Sequence, residues 1–128
     1  MVRSKLTTGI ACLCLMGAAA TASAQELTLT ITGDCPGRVT GEVTGATPFG
    51  EVAILYSRKT GNFVLPNSFP CAGTELGLGR PVLYEIEHAN ADGYMHEDEH
   101  LQGGACGLFV QCVDLETCTL SNVAQIGG

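Results

Sequence analysis

From residue 27 onward, apolar and polar positions alternate in short runs, and Gly, Pro, Asn and Asp punctuate them. Residues 27–31 read Leu-Thr-Leu-Thr-Ile, the period of two that makes a half-buried strand. The break at residues 33–37 (Gly-Asp-Cys-Pro-Gly) is followed by a second run, 38–44, with Val39 and Val43 apolar. Gly41 lies between those valines and marks a weakened run or a bulge. Residues 51–56 are almost continuously apolar, which predicts the most buried strand. Residues 63–65 and 82–87 are further strand candidates, separated by a Pro- and Gly-rich loop, 66–81, that holds Cys71. Asn90-Ala91-Asp92-Gly93 is a hairpin turn, since Asp-Gly tolerates the positive φ such turns require. It predicts that residues 94–101 return as a strand beside 82–87. Residues 107–113 and 119–126 form a last hairpin around 114–117.

Seven to eight short antiparallel strands with a turn signal every 8–12 residues, and no amphipathic helix, describe an all-β chain folded as one small β-sandwich. Residues 25–128 make a single domain, large enough for one modest core that gains from covalent cross-links.

The first 24 residues break this pattern. Arg3 and Lys5 precede a short apolar stretch, and Ala22-Ser23-Ala24 is a small-residue cleavage pattern, so the segment reads as a signal peptide cut after Ala24. The stretch is shorter than the ~20 apolar residues of a spanning helix, so no membrane insertion is expected after cleavage. The expected location is secreted or periplasmic. All 13 acidic residues follow the signal, against only Arg38, Arg58, Lys59 and Arg80 as basic partners. Such an acidic domain repels nucleic acid and leaves a protein or glycan as the expected partner.

Export changes how the cysteines read. Cys35, Cys71, Cys106, Cys112 and Cys118 remain after cleavage, and in an oxidising compartment they are disulfide partners with one thiol left over. The gaps Cys106-x5-Cys112 and Cys112-x5-Cys118 do not match the paired Cys-x2-Cys spacing of a zinc cluster.

The turn motifs Gly45-Ala46-Thr47-Pro48-Phe49-Gly50-Glu51-Val52 and Ala89-Asn90-Ala91-Asp92-Gly93 resemble strand entries and hairpins of bacterial immunoglobulin-like and fibronectin-like modules. Asp34-Cys35-Pro36-Gly37, Pro70-Cys71-Ala72-Gly73-Thr74, Gly104-Ala105-Cys106-Gly107 and Thr117-Cys118-Thr119-Leu120 resemble a group of small exported bacterial proteins of unassigned function. The resemblance implies an immunoglobulin-like sandwich and export, and it carries no catalytic residue. The group would have a small residue where this chain has Cys112. That departure implies Cys112 as the free thiol and Cys35–Cys71 with Cys106–Cys118 as the bridges. A rival pairing, Cys112–Cys118, spans the last hairpin turn. An exposed Cys112 would allow a disulfide-linked homodimer.

The segment His96-Glu97-Asp98-Glu99-His100 is the one cluster of ligand-type side chains. On a helix His96 and His100 would share an ion; on a strand they stand ~13 Å apart, and only His96 with Asp98 or Asp98 with His100 could join a site. A metal-binding protein using His96, Asp98 and His100 would take zinc or copper. The competing reading is a charged edge strand that discourages pairing with other chains. A small secreted hydrolase would need Cys112 or a serine beside a histidine, and no Gly-x-Ser-x-Gly context is present. The leading expectation is a non-enzymatic structural or binding module.

Overall fold

The computed structural model describes residues 26–127. The proposed signal peptide lies outside the described residues. The described chain is all-β, with ten strands and one 3-10 turn at Gly103–Ala105. Six strands have six to eight residues: β1 (Thr28–Gly33), β2 (Gly37–Thr44), β3 (Glu51–Ser57), β6 (Val82–His88), β7 (Met95–Leu101) and β8 (Phe109–Asp114). Four are two-residue pieces: β4 (Lys59–Thr60), β5 (Leu78–Gly79), β9 (Thr119–Leu120) and β10 (Ala124–Gln125). Among the described residues no helix is long and apolar enough to cross a membrane.

Two antiparallel sheets face each other. The smaller runs β1-β2-β7; the larger runs β9-β8-β3-β6, and β10 also pairs with β8. Strand alternation sorts the side chains. Leu29, Val39, Val43 and Met95 of the small sheet meet Val52, Val110 and Cys112 of the large sheet in one apolar cluster. The opposite face of the large sheet carries Ala53, Leu55 and Val113. Leu65, together with Leu76 and Leu78 from the Pro- and Gly-rich loop, covers it as a second cluster. β3 is therefore buried on both faces, which is why its sequence is continuously apolar rather than alternating.

The expected pairing of residues 82–87 with 94–101 does not form. The turn closes, with the Gly93 N–H donating to the Asn90 carbonyl at 3.0 Å, but Ala46 N–H donates to Gly93 O at 3.0 Å and draws the loop to the 45–50 turn. Gly93 sits at φ 72, and a Cβ there would run into the Ala46 carbonyl oxygen. The chain thus leaves β6 at the edge of the large sheet and enters β7 at the edge of the small one, bonded to β2 in an unbroken register from Val43↔Met95 to Gly37↔Leu101. That register, with Ile31↔Gly41 on the other side, also shows that Gly41 is a regular strand position and not a bulge.

The disulfide pairing differs from expectation as well. The bridges are Cys35–Cys106 and Cys71–Cys118. Cys106 precedes and Cys118 follows the six-residue strand β8. At ~3.3 Å per residue they are on the order of 20 Å apart. The bridged Cα atoms are only 5.5 Å and 5.4 Å apart, so a Cys106–Cys118 bond is geometrically closed. Cys35–Cys106 ties the β1–β2 hairpin to the start of β8, joining the two sheets at one end. Cys71–Cys118 ties the covering loop to the β8–β9 turn. Cys112 is free and 0% exposed on the inter-sheet face of β8, so the surface thiol needed for a linked homodimer is not there. The same burial closes the rival Cys112–Cys118 bond, since Cys118 is bonded to Cys71 beyond the strand end.

Candidate functional site

The sandwich is not filled along its length. A cleft of about 900 Å³ lies between the sheets. Its walls are mostly apolar: Ile31, Val39 and Val43 on one sheet face Ile54, Tyr56 and Val110 on the other. Gly41 is one cause of this space. It sits in β2 between the inward-facing Val39 and Val43, where alternation calls for a third apolar side chain, and an ideal Cβ built there meets nothing within 4 Å. Exposed lining residues mark the opening, among them Arg58, Lys59, Arg80, Val82, Tyr84 and His96.

Along the open side, β6 and β7 have no backbone ladder between them, and side chains span the gap instead. Glu85, Glu87 and Glu97 bring one carboxylate oxygen each within 4.8 Å of one another. The Tyr84 hydroxyl donates to Glu99 Oε2 at 2.9 Å. Three carboxylates this close cannot all ionise cheaply. Hydrogen bonding with Glu85, aided by desolvation, pushes the Glu97 carboxyl up to about 8. A proton held there also supplies the donor that the enclosed Glu85 Oε2 otherwise lacks. The hydrogen bond to Glu99 pushes the Tyr84 phenol up to about 12.

The His96–His100 segment splits by alternation. Glu97 and Glu99 turn toward the cleft side, and His96, Asp98 and His100 take the alternate, exposed positions, with His96 also bordering the cleft. His96 Nε2 is 3.6 Å from Asp98 Oδ2. Asp98 Oδ1 accepts from Thr40 Oγ1 at 2.5 Å, and that bond holds its carboxyl below the usual range. His100 does not close on this pair: among the described residues the one set of three ligand groups that converges is Glu85, Glu87 and Glu97. The three side chains of the expected zinc or copper site, His96, Asp98 and His100, do not converge here, because an extended strand spreads the two histidines along one face. The converging set is all oxygen, a donor chemistry for magnesium or calcium rather than for zinc or copper, and a shared proton meets the same electrostatic need.

The nucleophile candidates are also placed. Cys112 is at the base of the cleft, and burial pushes its thiol up to about 12, far from a reactive thiolate. Ser57 donates to the Gly79 carbonyl, and Ser121 donates to Asn122 O at 2.7 Å. Neither hydroxyl is engaged by a histidine.

The sequence reading missed Glu85 and Glu87, whose alternation with Tyr84 and Ile86 looks like an ordinary half-exposed strand. It also missed the cleft. The one signal available was Gly41, an inward position with no side chain between two valines. Comparison with protein-family models, with curated proteins and with solved structures finds no significant match.

Proposed function

We propose that this chain is an exported, non-enzymatic binding module that holds a small apolar molecule between its two sheets. The observation that carries the reading is the cleft. Its volume of about 900 Å³ is of the size that encloses small ligands, ~300–1,000 Å³, and its walls are apolar with a few polar groups at the opening. The ligand class differs from the protein or glycan first expected, because the concave surface is apolar and glycan recognition asks for polar walls. Export belongs to the same proposal. The 1–24 segment supports it, and so do two disulfides in a chain with a small core. The likeness to immunoglobulin-like exported modules is compatible with a binding role and assigns no residue to it.

A twelve-carbon chain leaving water gains roughly 9 kcal/mol at ~0.8 kcal/mol per methylene. Association costs of at least ~4 kcal/mol offset that gain, so a bare apolar tail should bind with a Kd on the order of 0.1–1 mM. The test is titration of the oxidised protein with the neutral dye N-phenyl-1-naphthylamine, followed by displacement with dodecanol. The proposal expects a saturable fluorescence gain at one site per chain, reversed by dodecanol. No gain with native protein, or a gain that survives reduction and unfolding, would overturn it.

A further inference from the structure

Residues 25–128 carry only four basic side chains, and three of them, Arg58, Lys59 and Arg80, line the same cleft. Among the described residues none of the three forms an ion pair, in a chain with 13 carboxylates. Ordinary surface electrostatics would scatter them among the acids. Here Arg58 and Lys59 follow β3, Arg80 precedes β6, and the two segments are held together at one end of the sandwich. The buried Ser57 hydroxyl joins the two segments: it accepts from Lys59 N–H at 3.2 Å and donates to the Gly79 carbonyl. Lys59 is also the register partner of Gly79. The cationic rim is thus built on a fixed frame, next to the apolar walls at Tyr56, Val82 and Leu101.

The acidic side chains of the cleft do not offer a rival headgroup site. Glu99 is engaged by Tyr84, and Glu97 is closed into the cluster with Glu85 and Glu87. The charge left without a partner at the opening is positive.

We propose that the ligand is a single-chain amphiphile with an anionic headgroup, of the long-chain carboxylate class, its tail between the sheets and its headgroup at Arg58, Lys59 and Arg80. This rests on the cleft being a binding site, and it adds the sign and position of the headgroup.

The experiment compares dodecanoate, dodecanol and dodecylamine at pH 7 by displacement of the neutral dye. It uses the oxidised protein and a triple variant, Arg58→Gln, Lys59→Gln and Arg80→Gln. All three positions are exposed, so folding of the variant is checked by its circular dichroism and melting temperature. The proposal expects dodecanoate to bind the parent at least about tenfold more tightly than dodecanol, by the typical strength of charge-assisted hydrogen bonds. The variant should lose that advantage and keep its dodecanol affinity. Equal affinities for dodecanoate and dodecanol in the parent would overturn the headgroup assignment and leave the cleft standing. So would preference for dodecylamine, which would move the headgroup to the carboxylate side. Failure of all three to displace or bind would overturn the cleft reading itself.

Discussion

Replacing Gly41 with valine should both stabilise the protein and weaken ligand binding. Gly41 is a regular position of β2, paired with Ile31 on one side and Glu97 on the other. Its φ lies outside the left-handed region, so a side chain adds no backbone strain, and an ideal Cβ there touches nothing within 4 Å. A valine would extend from the Val39–Val43 row into the cleft. Burying a valine side chain contributes about 1.5 kcal/mol at the low end of the usual range, because the cleft is open on one side. Removing a mid-strand glycine contributes roughly 0.5–1 kcal/mol more. The sum is about 2 kcal/mol, which for a domain of this size raises Tm by roughly 8–16 °C. The same methyl groups occupy volume the ligand needs, so affinity for dodecanol and dodecanoate should fall by about tenfold or more. Thermal unfolding followed by circular dichroism, and dye displacement on the same samples, read both effects. A lower Tm would mean that the space is not there and that the valine overpacks the core. A higher Tm with unchanged binding would place the ligand somewhere else.

Three further outcomes follow from the geometry. A carboxyl whose folded pKa is raised contributes stability that is complete below its ordinary 4.5 and is lost as pH rises through about 8. Glu97 is partly exposed, so solvent screening limits this loss to about 1–2 kcal/mol, and Glu97→Gln should flatten the stability profile between those pH values; an unchanged slope in denaturant titrations would refute the shared proton. Removing Cys71–Cys118 by double serine substitution releases a loop with a sequence separation of 47 and should cost about 4 kcal/mol by chain entropy; peptide mapping of the oxidised protein checks the two pairings directly. Asp114 is 3% exposed and accepts from Thr47 N–H, Thr47 Oγ1 and Glu116 N–H; Asp114→Ala leaves those part-buried donors without their acceptor and should lower unfolding free energy by about 1–3 kcal/mol, where a loss under about 0.5 kcal/mol would show the network to be slack.

The strands were legible because their period of two is a local property. The run at 51–56 announced a buried strand, and the structure buries it between the inter-sheet core and the 63–78 loop. Which strand pairs with which was not legible. The Asp-Gly turn at residues 92 and 93 predicts a hairpin, yet a hydrogen bond from Ala46, more than forty residues away in sequence, carries β7 to the other sheet. The same non-local step puts Glu85 and Glu87 opposite Glu97, which no sequence spacing suggests. The four bridged cysteines could be named, but their connectivity depends on which strand ends share an end of the sandwich. The His96–His100 segment looked like a ligand set because its residues are adjacent in sequence, and a strand separates such neighbours onto two faces. Arg58, Lys59 and Arg80 read as parts of two turns; only the tertiary fold brings them to one opening.

The most direct test of the central claim is a set of intermolecular NOEs between dodecanol and methyl-labelled, oxidised protein. A ligand between the sheets predicts contacts from its methylenes to Ile31, Ile54, Val39 and Val110, whose side chains line the cleft. Contacts confined to the exposed Val64, Leu83 and Ile86 would place dodecanol on the outer surface and contradict the account.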